Sequence, residues 1–566
     1  MSELLPFNKV PSGQNESNED GEAAGGTYHY DSSNKLHRGL TLLMNFAFGF
    51  TEVGVLSSLC VTLKEGYGSG GPAVFLWGFL LNSVMTIFIG LSMAELCAAY
   101  PSAGAVYHWA AQVAPPAYAS AYSYITGWSN WLGNAAGDAA FASGLASFVS
   151  AALVASGQND LGWLSFRDSF KLVISNLHLL IAFVGDHTQV LLSIVAIVAW
   201  TILNFFRIDQ VGLLNEIIAI IHIVSMLVVI ITILSMTSHI SSPSFVFGKF
   251  YNNTGFTSPI YVGTVGLTSA LFAFAGYEAS AHLAEETGNA SVAASRGITH
   301  TIVATAVGGA ALLLGMMFAC DNLPAIVNDD VDSGPSTGNA AVNLFILTCG
   351  ESVGCFLAWL VAFNLFFAGL ASVTVTGRIT FALARDNAFP FSKTLSTVHP
   401  EMKSPMWALA FVGGLDGLIL LLPLDKTNGT IVYTAIIGLS VIGFQVSYAI
   451  PIILKTFVPQ PNFPSTSMDL GRFSFVCGLL SSFWLLFTSA LLFLPDQYPI
   501  TVANMNWLCI IVPLTCGLGL LNWYWYSRHC FKGPPRYDVM KKRIASDEEL
   551  LSSVVVLEKE SFIPLQ

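Results

Sequence analysis

The sequence predicts an all-α, polytopic membrane protein of about twelve transmembrane helices. Three observations carry this expectation. Of 566 residues, 54% are hydrophobic and only 10% are charged, a composition that would leave a water-soluble protein without a polar coat. Apolar stretches of about 20 residues recur along the chain, the length a helix needs to cross a hydrocarbon layer about 30 Å thick. Lysine and arginine are also unevenly shared between alternate connecting loops, the asymmetry that sets orientation in a membrane.

The first five apolar segments are 39–63, 73–97, 120–153, 188–206 and 211–235. Segments six to ten are 260–283, 299–320, 341–377, 405–424 and 431–454, followed by 473–494 and 506–527. Segments three and eight are long enough to tilt or to project from the bilayer. The stretch from Arg167 to Gly185 is apolar in patches but interrupted by Asp168, Lys171, Asn176 and His178, and reads as an amphipathic insertion on the outer side. Residues 1–36 are polar and have no apolar signal-peptide core, so they read as a disordered cytoplasmic tail. The membrane domain then covers 37–535, and 536–566 forms a second cytoplasmic tail.

An even number of spans puts both termini on one side. With that side cytoplasmic, only Lys64, Arg167, Lys171, Lys249 and Lys426 of the 23 Lys and Arg fall outside. Of the glycosylation sequons, Asn252 and Asn428 then lie outside, and Asn15 and Asn289 inside. The protein is expected to be integral and multi-pass, in the plasma membrane or an organelle membrane, with lipid as its solvent.

The remaining composition excludes several function classes. A net charge of −12, with acids gathered at Glu16 to Glu22 and Asp329 to Asp332, speaks against a nucleic-acid partner. The nine cysteines, among them Cys60, Cys97, Cys349, Cys355 and Cys516, form no CxxC pair and read as small core residues. HExxH is not present. No catalytic residue, metal or cofactor is expected, and the protein is not expected to be an enzyme.

Two segments are interrupted at corresponding places: Gly49-Phe50-Thr51-Glu52-Val53-Gly54 in segment one and Phe274-Ala275-Gly276-Tyr277-Glu278 in segment six. Inverted-repeat transporters break the first helix of each half near the midplane, which exposes backbone N–H and C=O groups to a substrate instead of to lipid. Glycine also serves close helix packing in membranes. The matched positions, each beside a carboxylate, favour the functional reading.

At these residues a family resemblance becomes specific. The run GLSMAELCAAYPSAGAVYHWAAQVAPP (Gly90 to Pro116) resembles the second span and following loop of the amino acid–polyamine–organocation superfamily. FAGYEASAHLAEET (Phe274 to Thr287), RITFALARDNAFP (Arg378 to Pro390) and YAIPIILK (Tyr448 to Lys455) resemble its amino acid/choline transporter family, which includes plant bidirectional amino-acid transporters and fungal GABA and choline permeases. The resemblance runs from about Arg38 to Pro534. It implies a five-plus-five inverted repeat with discontinuous helices one and six, repeat one at about 37–240 and repeat two at about 255–456, plus two additional helices at about 473–527. It further implies a secondary active transporter working by alternating access around a site between helices one, three, six and eight.

Carried onto this chain, the resemblance implies that the backbone of Gly49 and of Thr51 to Gly54 (Thr51, Glu52, Val53, Gly54) holds a substrate carboxylate, aided by the positive end of the half-helix beyond. The backbone of Phe274, Ala275 and Gly276 would accept from an ammonium, with Phe272 or Tyr277 covering the site. Glu52 and Asp138 depart from the family, whose members mostly carry an apolar residue at the first position and a neutral one at the second. The expected substrate is a small amino acid or related organic amine; choline or a polyamine, or a non-transporting sensor role, are the alternatives.

Acids inside a membrane cost several kcal/mol unless paired or hydrated. Glu52 therefore reads as a binding site for a cationic amine, a proton carrier, or a cap on freed backbone N–H groups. Asn130, Asn134 and Asp138 recur every four residues and share one inward face. Glu278, His282 and Glu285 also share a face, the lower two at an internal gate. Candidate carriers of a coupling proton are Glu52, Glu278, His282 and His222. A sodium site would draw on Ser372 and Thr374; the resemblance leans toward proton coupling or exchange instead. Glu95 reads as structural, bonded to loop backbone near Pro101 and Gly104. Asp416, in segment nine, is given no role.

Overall fold

The computed structural model describes residues 39–156, 188–206, 208–320, 322–327, 335–422, 429–461, 463–502 and 504–536. The two expected tails, the insertion at 167–185, the acids at 329–332, Asn15 and Asn428, and Arg167, Lys171 and Lys426 lie outside these residues. Among the described residues the chain is helical, with two isolated β-bridges.

Ten helices among the described residues are long and apolar enough to cross a membrane: Leu42–Val61, Gly71–Ala99, Ala119–Ser156, Leu213–Met236, Pro259–His282, Ala290–Ala319, Glu351–Arg385, Val432–Phe457, Phe473–Leu491 and Leu508–Cys530. Shorter apolar helices, Gln189–Leu203, Ala340–Cys349 and Met406–Ile419, accompany them. Each of the twelve sequence segments thus coincides with one or more helical elements among the described residues. The 38 residues of Ala119–Ser156 span about 57 Å at 1.5 Å per residue, well beyond the hydrocarbon layer, as its length suggests.

Two local expectations are corrected. The stretch 341–377 is not one helix: it divides at Gly350 (φ 78°) into Ala340–Cys349 and Glu351–Arg385. A positive φ ends the first helix where only glycine sits comfortably, and the chain turns back so closely that a Cβ on Gly354 would lie 2.8 Å from the Ile346 backbone. The loop expected after segment two contains a nine-residue helix, Ala105–Val113, buried along its whole length.

The surface is that of a lipid-solvated bundle. On segment five, Ile217, Ile220, Val224, Leu227 and Ile231 form one helical stripe, each at least 48% exposed. Such a stripe is unfavourable in water and is the expected outer face in hydrocarbon. Inside, helices meet through small residues: a Cβ on Gly443 would lie 2.6 Å from the Gly133 Cα, so segments three and ten touch backbone to backbone.

Helix one begins beside Thr287, to which Leu40 is bridged, and ends where Ser69 bridges Asn252. Asn252 and Asn289 therefore sit at opposite ends of the bundle, and both are exposed.

Candidate functional site

Segment one breaks at a single residue. Leu42–Val53 ends, Gly54 takes the left-handed conformation (φ 49°), and Val55–Val61 continues. The Ser58 hydroxyl donates to the freed Val53 carbonyl at 2.7 Å, while no side chain caps the N-terminus of Val55–Val61. The break is narrower than the sequence suggested, because Gly49, Thr51, Glu52 and Val53 remain helical. Gly49 is a packing position: a Cβ there would lie 2.9 Å from both Ser280 Oγ and Thr301 Oγ1.

Segment six is disrupted over a longer stretch. Pro259–Gly266 gives way to 3₁₀ turns at Leu267–Ala270 and Phe272–Phe274, then to extended backbone at Ala275. Gly276 follows with φ 86°, and a short helix resumes at Ala279–His282. The tight turn brings the backbone against segment one. A Cβ on Gly276 would lie 2.9 Å from Glu52 Oε1 and 3.3 Å from its Cδ and Cγ. Glu52 thus lies across the break of segment six, and the two interruptions form one locus.

That locus is polar and under-satisfied. Thr51 Oγ1, Ser57 Oγ and Glu52 Oε2 are buried without a hydrogen-bond partner among the described residues. Buried polar atoms in native proteins are nearly always bonded, so three at one break mark a place suited to a polar guest. Above it, Phe272 packs on Phe141 with ring centroids 5.7 Å apart. A cavity of about 250 Å³ leads from the Lys64, Glu65 and Asp496 end down to Phe272. It does not reach Tyr277, which packs on Tyr448 at 5.1 Å.

The shared face of segment three points inward. Asn130 donates to Glu278 Oε1 at 3.0 Å, and the Tyr448 hydroxyl donates to Glu278 Oε2. Glu278 therefore ties segment six to segments three and ten. Asn134 bonds the Asn130 carbonyl at 2.9 Å. One turn on, Asp138 accepts from Ser372 of segment eight. Thr374 donates to Asn204, so both hydroxyls named for a sodium site are engaged by neighbouring side chains.

The histidines hold backbone. His282 Nδ1 is 2.9 Å from the Ala103 carbonyl, and His222 bonds the Asn364 backbone. The expected partner of Glu95 is corrected: its Oε2 accepts from Lys455 and, at 2.8 Å, from Ser474, which joins segments two, ten and eleven. The loop after segment two is held instead by Glu285, which accepts from Ala103 N at 3.1 Å and Ser102 Oγ at 3.2 Å.

Glu285 also takes a two-pronged contact from Arg385, at 2.8 and 2.9 Å. Burial works against its charge, yet the guanidinium prevails and holds the carboxyl down at about 2. Next to it, Glu286 accepts from Arg378 Nε at 3.0 Å, both side chains being 1% exposed. Arginine in an apolar helix demands a carboxylate, which is the signal that points to these pairs. Tyr107 donates to Asp386 at 3.0 Å beside them. The end of the bundle opposite the cavity is thus sealed by a lattice binding segment six to segment eight and to the loop after segment two.

Known proteins are similar to this chain in sequence. The sequence profile of the family described as amino acid permease matches residues 40–515. The chain is 29% identical to amino-acid permease BAT1 of Arabidopsis thaliana over 88% of its own length and 94% of that protein. To the amino-acid permease BAT1 homolog of Oryza sativa subsp. japonica it is 29% identical over 94% of its own length and 99% of that protein. With the GABA-specific permease of Saccharomyces cerevisiae it shares 25% identity over 88% of its own length and 83% of that protein. A family match over most of the chain, on a bundle of lipid-solvated helices, identifies it as a member of the amino acid permease family of the amino acid–polyamine–organocation superfamily, a multi-pass membrane transporter and not an enzyme.

Proposed function

We propose that this permease is a secondary active transporter of small amino acids or related organic amines, that it works by alternating access, and that Glu52 receives the substrate's positive group. The observation that carries this reading is the placement of Glu52 across the Gly276 turn, where the two broken segments meet. Backbone N–H groups at the uncapped start of Val55–Val61 suit a substrate carboxylate, and the half-helix dipole favours it. A carboxylate beside the Gly276 turn suits an ammonium. Twelve spans in a five-plus-five inverted repeat, 37–240 and 255–456, with two further helices at 473–527, accommodate these two breaks as the first helices of the two halves.

In this reading the cavity above Phe272 is the external approach, and the Glu285–Arg385 and Glu286–Arg378 pairs close the cytoplasmic side. Alternating access breaks those pairs as Phe272 seals the outside. A competition panel on purified, reconstituted protein tests the substrate class. Lysine and other amines with a second positive group are expected to compete best, ahead of neutral amino acids, because Glu52 and Asp138 are carboxylates buried in the bundle. Saturable counterflow is expected; its absence with every compound would leave a sensor.

The orientation has its own test. Glycosylation mapping is expected to find Asn252 modified and Asn289 bare, since lysine and arginine crowd the Asn289 side. Modification of Asn289 in the wild-type chain would reverse the assignment.

A further inference from the structure

The last apolar helix, Leu508–Cys530, faces lipid along most of its length. Between Leu508 and Asn522 the buried residues are Leu508 and Gly519, while Ile510, Leu514, Leu518 and Leu521 are exposed. Its final turns differ. The helix widens to a π-turn over Trp523–Ser527, a distortion frequent at functional positions. Ser527, fully buried, donates to the Ala388 carbonyl at 2.9 Å. Asn522 donates to the same carbonyl at 3.1 Å and to the Tyr124 hydroxyl at 2.8 Å.

Ala388 closes the helix that carries Arg385. Beyond Glu351–Arg385, Asn387 takes the left-handed conformation (φ 63°), the Ala388 N–H donates to the Leu383 carbonyl and the Asn387 N–H to that of Ala384, both at 2.9 Å. This pair of bonds fixes the end of a helix. Here it fixes the turn bearing Arg385, which meets Glu285, and Asp386, which meets Tyr107 at 3.0 Å and His108 at 3.4 Å. A grip on Ala388 is therefore a grip on one side of the sealed end.

The chain after the helix grips the other side. Phe531 is 2% exposed and packs on Tyr124 with ring centroids 5.8 Å apart. Around the turn at Gly533 (φ 73°), Ser120 donates to the Lys532 carbonyl at 2.7 Å, Gln112 to the Pro535 carbonyl at 3.0 Å, and Arg536 to the Ala114 carbonyl at 2.7 Å. Gln112 belongs to Ala105–Val113, the helix that carries Tyr107 and His108 and follows the two donors to Glu285, Ser102 and Ala103.

We propose that the inner end of Leu508–Cys530 and the strap 531–536 form a clasp that holds the inner gate shut, with Asn522, Ser527 and Arg536 as positioning residues for transport. This rests on the Glu285–Arg385 lattice being the inner gate of the proposed cycle. Opening that gate parts the turn of Arg385 and Asp386 from Ala105–Val113, and a strap bonded to both cannot keep all its bonds in the parted state. The clasp thus favours the inner-closed population. Removing one such hydrogen bond is expected to shift the balance toward the inner-open state by about 2- to 12-fold.

Hydrogen exchange on the purified full-length protein, without substrate, tests the clasp. In Ser527→Ala and in Arg536→Ala, the amides of Ala105–Val113 and of 386–389 are expected to exchange about 2- to 12-fold faster than in the wild type. Those of Leu63–Gly68, at the other end of the bundle, are expected to exchange no faster. A change confined to 523–536, or one shared equally by Leu63–Gly68, overturns the proposal. Glu285→Gln separates it from the gate assignment: no release of these amides by Glu285→Gln refutes the gate, whereas release by Glu285→Gln and none by the two clasp variants refutes the clasp alone. In proteoliposomes with lysine as the probe, the clasp variants are expected to raise KM at the outer face and lower it at the inner face, since fewer carriers face outward. A changed kcat with both KM values intact overturns the clasp. A wild-type protein that moves no lysine refutes the Glu52 assignment, and the hydrogen-exchange result still decides the clasp.

Discussion

Gly276→Leu is expected to abolish uptake while leaving the protein inserted in the membrane. Gly276 has φ 86°, a conformation that costs a residue with a side chain about 1–3 kcal/mol. Its Cβ would also meet Glu52 Oε1 at 2.9 Å, too close for any real contact with a carboxylate held between two helices. The leucine would either displace Glu52 or pull the turn back toward helix, and both outcomes remove the locus where the breaks meet. Gly276→Ala should be impaired less, since it carries the strain and the first contact but not the bulk. Surface expression and detergent monodispersity report folding, and radiolabelled uptake reports function. Normal uptake by the leucine variant removes Gly276 from the site.

Glu52→Gln keeps the shape and removes the charge, and its expected effect is selective. Affinity for lysine and other cationic amines should fall by about 1–3 kcal/mol, roughly 5- to 150-fold, the scale of a lost charge-assisted hydrogen bond. Neutral amino acids should be affected little. The reverse pattern, with affinity intact and the pH response gone, would make Glu52 the proton carrier. A variant unchanged in affinity, selectivity and pH response leaves Glu52 a structural cap.

The parts of this architecture that depend on local composition were legible in the sequence, and the parts that depend on distant pairing were not. Apolar segments announce themselves because each must match a hydrocarbon layer, and Leu213–Met236 or Phe473–Leu491 needs no knowledge of its neighbours. Gly54 and Gly276 were visible as breaks because glycine beside polar residues is unusual in an apolar run, although Gly49 belongs to helix packing instead. The division at Gly350 was hidden, since an apolar helix that turns back on another reads as one long hydrophobic run. Glu95 was assigned loop backbone because that was near in sequence, whereas Lys455 lies 360 residues away. Asp416 had no account in the sequence, and the fold shows it buried with neither carboxylate oxygen bonded among the described residues. Periodicity places a side chain on a face; only the packed bundle says what the face meets.

The stitching between the two broken segments has a mechanical consequence. Asn45 donates to the Ser280 carbonyl at 2.9 Å and to Thr287 Oγ1 at 3.0 Å, and Ser280 returns a hydrogen bond to the Asn45 carbonyl. Gly39 and Leu40 donate to the Glu286 carbonyl, and Gly288 donates to that of Leu40. The inner half of segment one and the short helix Ala279–His282 are therefore one lever. A lever of this kind swings as a unit or stays shut: a state with one half-helix displaced would strand several of these bonds at once. On the proposed alternating-access cycle, loss of the Arg378 and Arg385 contacts is then expected as a single concerted event, with partly opened states rare. On that cycle, tightness against leak would be a property of the seam between two half-helices as much as of either proposed gate.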